Sequence, residues 1–202
     1  MKKRLLILCE GQEEKPYIDK IISFPSISKN YTFGEPVNVK GNGNIIGKYQ
    51  DEYQRNHYDL ILIFCDADRG SKQYKEIVSL LGIQIFGSEE KGNLVFIFVN
   101  PVTLQVVLSH FDKVNMTHKA KSKNNELIKK ITGIENYKAN QFQIKELMSK
   151  INYSNYKTMK DNIRDLPNSI NECPSTNFYQ FLLNIENDDT SWVDDINDKL
   201  NS

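Results

Sequence analysis

Three acidic residues of this chain follow short apolar segments, and carboxylates in such positions can hold a metal ion. Glu10 follows the run RLLILC at residues 4–9, and Asp66 and Asp68 follow the run DLILIFC at residues 59–65. Two carboxylates at positions i and i+2 point the same way while strand geometry persists, and their like charges then repel each other. A divalent cation removes that repulsion, and Mg²⁺ accepts carboxylate oxygens together with several waters. We therefore predict that Glu10, Asp66 and Asp68 form one site for Mg²⁺ (or Mn²⁺).

A carboxylate at the end of a strand can also cap the helix that follows it, and this second interpretation requires no metal. Capping is the simpler explanation for a single acidic residue. It accounts less well for a Glu-Gly pair and an Asp-x-Asp pair that each end a wholly apolar run. The metal site also requires that the two strands are neighbours, because Glu10 can then supply the third oxygen donor.

The segments that would position these acids alternate between strand and helix patterns. The apolar runs at 4–9, 59–65 and 93–99 are typical of parallel strands buried on both faces, and residues 36–40 are a weaker strand candidate. Segments with helical spacing of apolar residues follow these strands. This alternation predicts an α/β fold with a mainly parallel sheet flanked by helices. In such sheets ligands bind at the carboxyl ends of the strands, which is where the acidic residues lie.

The composition changes near residue 113, where a polar and basic segment begins. Beyond it we expect four short helices, at residues 124–132, 141–151, 155–165 and 176–186. No strand-like run occurs after residue 100. These patterns predict an α/β domain over residues 1–112 and a helical C-terminal subdomain over residues 113–202 that packs on it.

The chain has the composition of an ordinary globular protein, with 39% hydrophobic and 26% charged side chains among 202 residues. Its 26 basic and 26 acidic residues give a formal net charge of zero, so a polyanion would need a local basic patch. The three cysteines lack metal-binding spacing and favour reduced thiols, and the apolar start is too short for a secretion signal, so we predict a cytoplasmic protein. No run approaches the roughly 20 apolar residues of a membrane span, so no membrane partner is expected.

Several of these segments resemble a known domain family. Residues 5–18 (LLILCEGQEEKPYI), the glycine-containing turn at 41–43 and residues 60–68 (LILIFCDAD) are similar to the TOPRIM domain of topoisomerases, bacterial primases and OLD-family nucleases. The run CEGQEEKPYI and residues 100–111 (NPVTLQVVLSHF) also resemble the RloB-like branch of this group. The resemblance covers residues 4–112 and implies a TOPRIM-like fold for that part of the chain.

The resemblance also implies a function. It implies a Mg²⁺-dependent nuclease that hydrolyses phosphodiester bonds of DNA or RNA, with Asp66 and Asp68 as metal ligands and Glu10 as a ligand or general acid/base. The metal would polarise the phosphate and activate water. RloB-like proteins are associated with bacterial defence against phage and often accompany an ATPase, so the resemblance implies a defence effector with a partner ATPase.

Two departures from the family pattern support an alternative function. Leu104 stands where the RloB-like pattern has a Glu, and Arg69-Gly70 follows Asp68 without the further acid of topoisomerase-type sites. The alternative is a catalytically silent TOPRIM-like module that binds nucleic acid or a partner ATPase.

A basic stretch between residues 113 and 130 offers the local patch that a polyanion would need. It includes Lys119, Lys121 and Lys123, which we predict to contact a nucleic-acid backbone. A solvated linker and helix face would explain the same residues.

His110 also has two interpretations. It is either a buried, hydrogen-bonded histidine at the end of an apolar helix face or, from the resemblance, a catalytic residue that approaches the phosphate.

Two other ligand sites are conceivable from the sequence. The segment GNGNIIG at 41–47 matches the dinucleotide fingerprint G-x-G-x-x-G, with Asp66 at the expected distance beyond it. The short, polar strand before it and the polar helix after it argue against that interpretation, and a tight turn would explain the glycines equally well. A phospho-receiver domain is disfavoured because the first strand ends in one Glu and the 93–99 strand ends in Asn100-Pro101.

Overall fold

A computed structural model describes residues 2–27, 29–68 and 70–202 of the chain. In these ranges the strands are β1 (Lys3–Cys9), β2 (Tyr31–Phe33), β3 (Val37–Asn38), β4 (Leu60–Asp66), β5 (Phe96–Asn100) and β6 (Ser175–Thr176). The α-helices are α1 (Glu14–Ile22), α2 (Ile45–Arg55), α3 (Lys72–Phe86), α4 (Leu104–Leu108), α5 (Lys121–Thr132), α6 (Gln141–Ser149), α7 (Tyr153–Ile163), α8 (Phe178–Glu186) and α9 (Ser191–Asn201). Short 3₁₀ helices span Asn42–Asn44 and Glu89–Leu94. Arg69, which the sequence analysis names as a departure from the family pattern, lies outside the described residues.

The strands form one sheet in the order β2-β1-β4-β5-β6, and β3 pairs with the later residues of β1. Strand β1 is parallel to β2, β3 and β4, whereas β6 is antiparallel to β5. The prediction of an α/β fold with a mainly parallel sheet is therefore confirmed. So is the requirement that β1 and β4 are neighbours, because Leu5 pairs with Leu60 and the pairing continues to Cys9 and Phe64.

Strands β1 and β4 are buried on both faces, as their continuous apolar sequences predict. Leu5, Leu6, Ile7 and Leu8 are each at most 1% exposed. Because successive side chains of a strand point to opposite faces, such a run requires packed layers on both sides of the sheet. Burying each of these side chains contributes about 1.5–3 kcal/mol, which makes these strands a main source of stability.

The chain forms two compact units that interleave along the sequence. The first comprises the described residues of Met1–Cys65, Ser71–Ile97 and Gln180–Ser202. The second comprises those of Asp66–Gly70 and Phe98–Tyr179. Neither unit coincides with the predicted ranges 1–112 and 113–202, because the last helices group with the start of the chain.

The first unit contains helix α9, which the sequence analysis did not predict. Lys3 and Asp194 form an ion pair with an Nζ–Oδ1 distance of 2.5 Å, and the Asn197 side chain donates to the Asp59 carbonyl at 2.8 Å. Two residues of α9, seven positions apart, are buried. Val193, Ile196 and Leu200 recur at helical spacing, so the sequence contains a helical pattern here that the prediction of four C-terminal helices missed.

The second unit contains strand β6, and the expectation of no strand after residue 100 is therefore wrong. Val99 pairs with Thr176, and the Thr176 hydroxyl donates to the Phe98 carbonyl at 2.6 Å. A two-residue strand of Ser and Thr has neither an apolar run nor an alternation to reveal it. Its pairing rests on hydrogen bonds between residues almost 80 positions apart.

In the described part of the chain, no helix combines the length and apolar character of a membrane span.

All three cysteines lie in the described part and are unbridged. Cys9 and Cys65 are buried, and Cys173 is partly exposed.

Candidate metal centre

Asp66, the last residue of β4, has one carboxylate oxygen fixed by Thr103. Its Oδ1 accepts two hydrogen bonds, from the Thr103 backbone N–H at 2.6 Å and from the Thr103 hydroxyl at 2.7 Å. Thr103 directly precedes helix α4 and is 2% exposed, so both donors are held by packed structure. Hydrogen bonds to an ionised carboxylate are stronger than those between neutral groups, so the orientation of Asp66 is well defined.

Asp68 lies two residues further on, in a left-handed backbone conformation with φ of 50°. Aspartate tolerates this conformation better than most residues. The Asp68 N–H donates to the Pro101 carbonyl at 3.0 Å, and Oδ2 of its carboxylate lies 3.4 Å from the Lys119 ammonium. The side chains of Asp68 and Lys119 are 31% and 55% exposed, so this ion pair is open to solvent. Asp66 is thus anchored by a buried group, whereas Asp68 meets an exposed lysine.

Two further residues of the second unit hold the backbone close to this strand end. A Cβ atom at Gly70 would lie 2.7 Å from the Ile170 carbonyl oxygen, so the close approach of these segments requires glycine. The Asn100 side chain is 1% exposed and donates to the carbonyls of Glu172, at 2.6 Å, and Ile170, at 3.3 Å. Its Oδ1 is buried and has no hydrogen-bond partner. These contacts tie residues 170–172 to the ends of β4 and β5.

Glu10 belongs to the first unit and continues β1 by one residue. Its N–H donates to the Phe64 carbonyl at 3.1 Å, and its own carbonyl accepts from Gly41 at 2.8 Å. This hydrogen bond places the Gly-rich turn directly beside the Glu10 backbone. Gly41 has a φ of 108°, which only glycine adopts readily. The structure therefore brings Asp66 and Asp68 together in one unit and places Glu10 in the other. A cation shared by all three stays a prediction.

The same turn bears on the dinucleotide interpretation. In the dinucleotide fingerprint the third glycine permits close packing of the helix against a strand. A Cβ atom added at Gly47 would meet no atom within 4 Å, and the same holds at Gly43. No close approach requires glycine at either position, so the structure favours the tight-turn explanation for this segment.

The donor set of the second unit fits a magnesium ion held in an open site. Mg²⁺ commonly binds through one or two carboxylates and keeps several waters, and Asp66 and Asp68 offer two carboxylates. The Lys119 ammonium beside Asp68 shows that this position attracts a cation. Among the side chains that the structure describes, no group of three or more His, Cys, Asp or Glu residues is arranged to hold a metal. By their chemistry, the two carboxylates suit a cation that keeps several waters. Strand geometry ends at Asp66, and Asp68 has a left-handed backbone, so the geometry that would make both side chains point the same way does not extend to Asp68.

His110 is buried in the second unit, just after helix α4. Its ring is 1% exposed, and its Nδ1 lies 3.2 Å from the Asn155 Oδ1 atom. Burial lowers the pKa of His110 from 6.5 to about 4, so the ring is neutral at neutral pH. The geometry is that of the buried, hydrogen-bonded histidine, which is the first of the two sequence interpretations.

The basic stretch lies at the start of α5 and in the segment before it. Lys119 and Lys123 are exposed, and Lys121 is half-buried. Lys129, further along α5, is paired with Glu135 at 2.7 Å. Lys119 contacts Asp68, as described above, and the contact of Lys119, Lys121 and Lys123 with a nucleic acid stays a prediction.

Sequence reasoning did not identify Thr103 as part of this site. A threonine three residues beyond a strand end carries no distinctive pattern, and its contact with Asp66 spans 37 positions. The family pattern draws attention to Leu104, the next residue, which is 2% exposed. An acidic group would thus be buried at position 104, whereas the neighbouring Thr103 contacts the site.

Comparisons with known proteins identify no family for the chain. No family model matches it, and neither a curated protein nor a solved structure does so. The resemblance to the TOPRIM group therefore rests on the residues quoted above.

Proposed function

We propose that the end of β4 binds Mg²⁺ or Mn²⁺ and that the protein is a metal-dependent nuclease acting on DNA or RNA. The observation that supports this most is the pair of hydrogen bonds from Thr103 to Asp66 Oδ1. They orient a partly exposed carboxylate at the carboxyl end of a central parallel strand, which is where α/β proteins bind their ligands. A second carboxylate, Asp68, follows two residues later and faces a cationic side chain.

In this proposal each residue of the site has a distinct role. Asp66 and Asp68 would hold the ion, and Thr103 would keep Asp66 in place. When bound, the ion would supply polarisation of the scissile phosphate and activation of water. Lys119 would contact a backbone phosphate, and Glu10 would act as a third ligand or as general acid/base. We assign His110 no role in the proposed reaction, because its side chain is 1% exposed and its Nδ1 lies 3.2 Å from Asn155 Oδ1, and the catalytic role that the resemblance implies for it stays a prediction.

The wider setting of the proposal comes from the resemblance to RloB-like proteins. It comprises a TOPRIM-like fold, a cytoplasmic location, a role in defence against phage and a partner ATPase.

The second candidate function is the silent module that binds nucleic acid or the ATPase. The buried Leu104 favours it, because an acid that could support the metal is replaced there by an apolar side chain.

The proposal is tested with metal-dependent melting and with cleavage of single- and double-stranded DNA and RNA. Wild type should melt higher with Mg²⁺ or Mn²⁺, by the equivalent of about 1.4 kcal/mol at a metal concentration ten times the Kd. Asp66→Asn keeps the shape of the side chain and an acceptor for Thr103 but loses the charge, so metal stabilisation and cleavage should both disappear. Asp165→Asn is the matched control, because Asp165 is an exposed acid of the same unit.

Three outcomes separate the candidate functions. Joint loss of cleavage and of metal stabilisation in Asp66→Asn supports the nuclease. Metal stabilisation of wild type without cleavage of any substrate, even with a partner ATPase, supports the silent module. A wild type whose melting does not respond to millimolar Mg²⁺ or Mn²⁺ would exclude the metal site in both forms.

A further inference from the structure

The ion pair between Lys119 and Asp68 occupies a carboxylate that the proposed metal site needs. The Lys119 Nζ lies 3.4 Å from Asp68 Oδ2, and the two residues are 51 positions apart in the sequence. Thr103 meets Asp66 instead, at Oδ1. Thr103 thus gives Asp66 two neutral donors, which do not compete with a cation, whereas Lys119 brings to Asp68 a positive charge that does.

Lys119 can leave Asp68 for another anion at little cost. Both side chains are partly exposed, and exposed pairs of this kind are held weakly because water screens them and the lysine loses rotamer freedom. Lys119 precedes α5 and is exposed, so its ammonium can move to another anion without unfolding the helix. A backbone phosphate is such an anion, since lysine contacts it as a point charge.

We infer that Lys119 is a built-in competitor of the metal, and that nucleic acid relieves this competition. The inference rests on the proposed function. Without nucleic acid, the ammonium occupies Asp68 and weakens metal binding. When Lys119 turns to a phosphate, Asp68 becomes available to the ion. Since coupling between two binding events is reciprocal, the metal must strengthen nucleic-acid binding by the same factor.

Replacing Lys119 should change the affinities for Mn²⁺ and for nucleic acid in opposite directions. Lys119→Gln removes the competitor, so Mn²⁺ should bind the variant more tightly than wild type, by roughly two- to fivefold as expected for an exposed pair. The same substitution removes a phosphate contact, so a nucleic acid should bind more weakly. Lys119→Arg retains the charge and should resemble wild type in Mn²⁺ affinity.

The experiment is a Mn²⁺ titration of the full chain by calorimetry, with and without a phosphorothioate oligo-dT that resists cleavage. Lys145→Gln is the matched control, because Lys145 is an exposed lysine of α6 in the same unit and loses the same charge. Melting in metal-free buffer checks that each variant is folded. Wild type should bind Mn²⁺ more tightly when the oligonucleotide is present, and Lys119→Gln should lose this dependence.

Each outcome decides the inference. Tighter Mn²⁺ binding by Lys119→Gln than by wild type, with no such change in Lys145→Gln, supports it. Equal or weaker Mn²⁺ binding by Lys119→Gln overturns it, while the metal site stands if Asp66→Asn abolishes binding. If neither wild type nor Lys119→Gln binds Mn²⁺, the proposed metal site fails and the inference fails with it.

Discussion

The second unit contains two polar clusters that differ in burial and in the nature of their partners. Gln105, Ser109 and His110 are each at most 1% exposed and are hydrogen-bonded within the unit. Asp66 and Asp68 are partly exposed and carry charge. A buried neutral group cannot change partner without a large loss of stability, whereas an exposed carboxylate can exchange an ammonium for another cation. Burial thus distinguishes the cluster with fixed partners from the cluster whose partners can exchange.

The largest predicted effect is a loss of stability when the Gln105 side-chain amide is removed. Its Nε2 donates to the Val114 carbonyl and its Oε1 accepts from the Met116 N–H, both at 2.8 Å. Gln105→Met keeps the length of the side chain and leaves two buried backbone groups unpaired. The free energy of unfolding should fall by roughly 2–5 kcal/mol, measured in urea. Gln73→Met at an exposed position of α3 is the control, and a Gln105→Met protein as stable as wild type would contradict the structural role of this cluster.

A somewhat smaller effect should appear as a dependence of stability on pH. The pKa of His110 is lowered from 6.5 to about 4 by burial, so between these values the unfolded chain binds a proton that the folded chain does not. The free energy of unfolding should therefore decrease as the pH falls from 6.5 to 4, by up to about 3 kcal/mol from this group. Urea unfolding at several pH values should show a shallower slope for His110→Asn. The exposed His118→Asn should keep the wild-type slope. Equal slopes for both variants would show that the pH dependence of stability does not come from His110.

The smallest effect concerns the boundary between the two clusters, where buried Thr103 supports partly exposed Asp66. Thr103→Val removes the hydroxyl donor but keeps the backbone N–H, so Asp66 should be less well oriented. Mn²⁺ affinity should fall roughly tenfold, which is typical of groups that orient a metal ligand. Thr103→Ser should restore the affinity, and exposed Thr117→Val should not change it. If Thr103→Val alters the melting temperature without changing Mn²⁺ affinity, Thr103 is a structural residue alone.

The sequence was informative where structure is local. The strands β1 and β4 were predictable because each is a continuous apolar run, and the acidic residues follow these runs directly. Helix α6, expected at 141–151, was predictable for a similar reason, since its apolar residues recur at helical spacing. The 93–99 strand was placed too early, because residues up to Leu94 form a 3₁₀ helix and β5 begins at Phe96.

The parts that the sequence did not reveal depend on contacts between distant residues. Asp66 meets Thr103 across 37 positions, and Asp68 meets Lys119 across 51 positions. Strand β6 depends on a hydroxyl that reaches the backbone of β5, which leaves no apolar pattern. The residue types of the site were thus accessible from the sequence, but the groups that orient and neutralise them were accessible only from the fold.

The ion pair between Lys3 and Asp194 has a consequence for the order in which the chain folds as it is synthesised. The two residues are 191 positions apart, and they belong to a unit that begins with β1 and includes α9. The ribosome makes the chain from its N-terminus, so β1 emerges long before the helix that contacts it. The second unit draws its residues from 66–70 and 98–179, all of which are made before residue 180. The unit that begins first during translation can therefore be completed only after all residues of the other have been made.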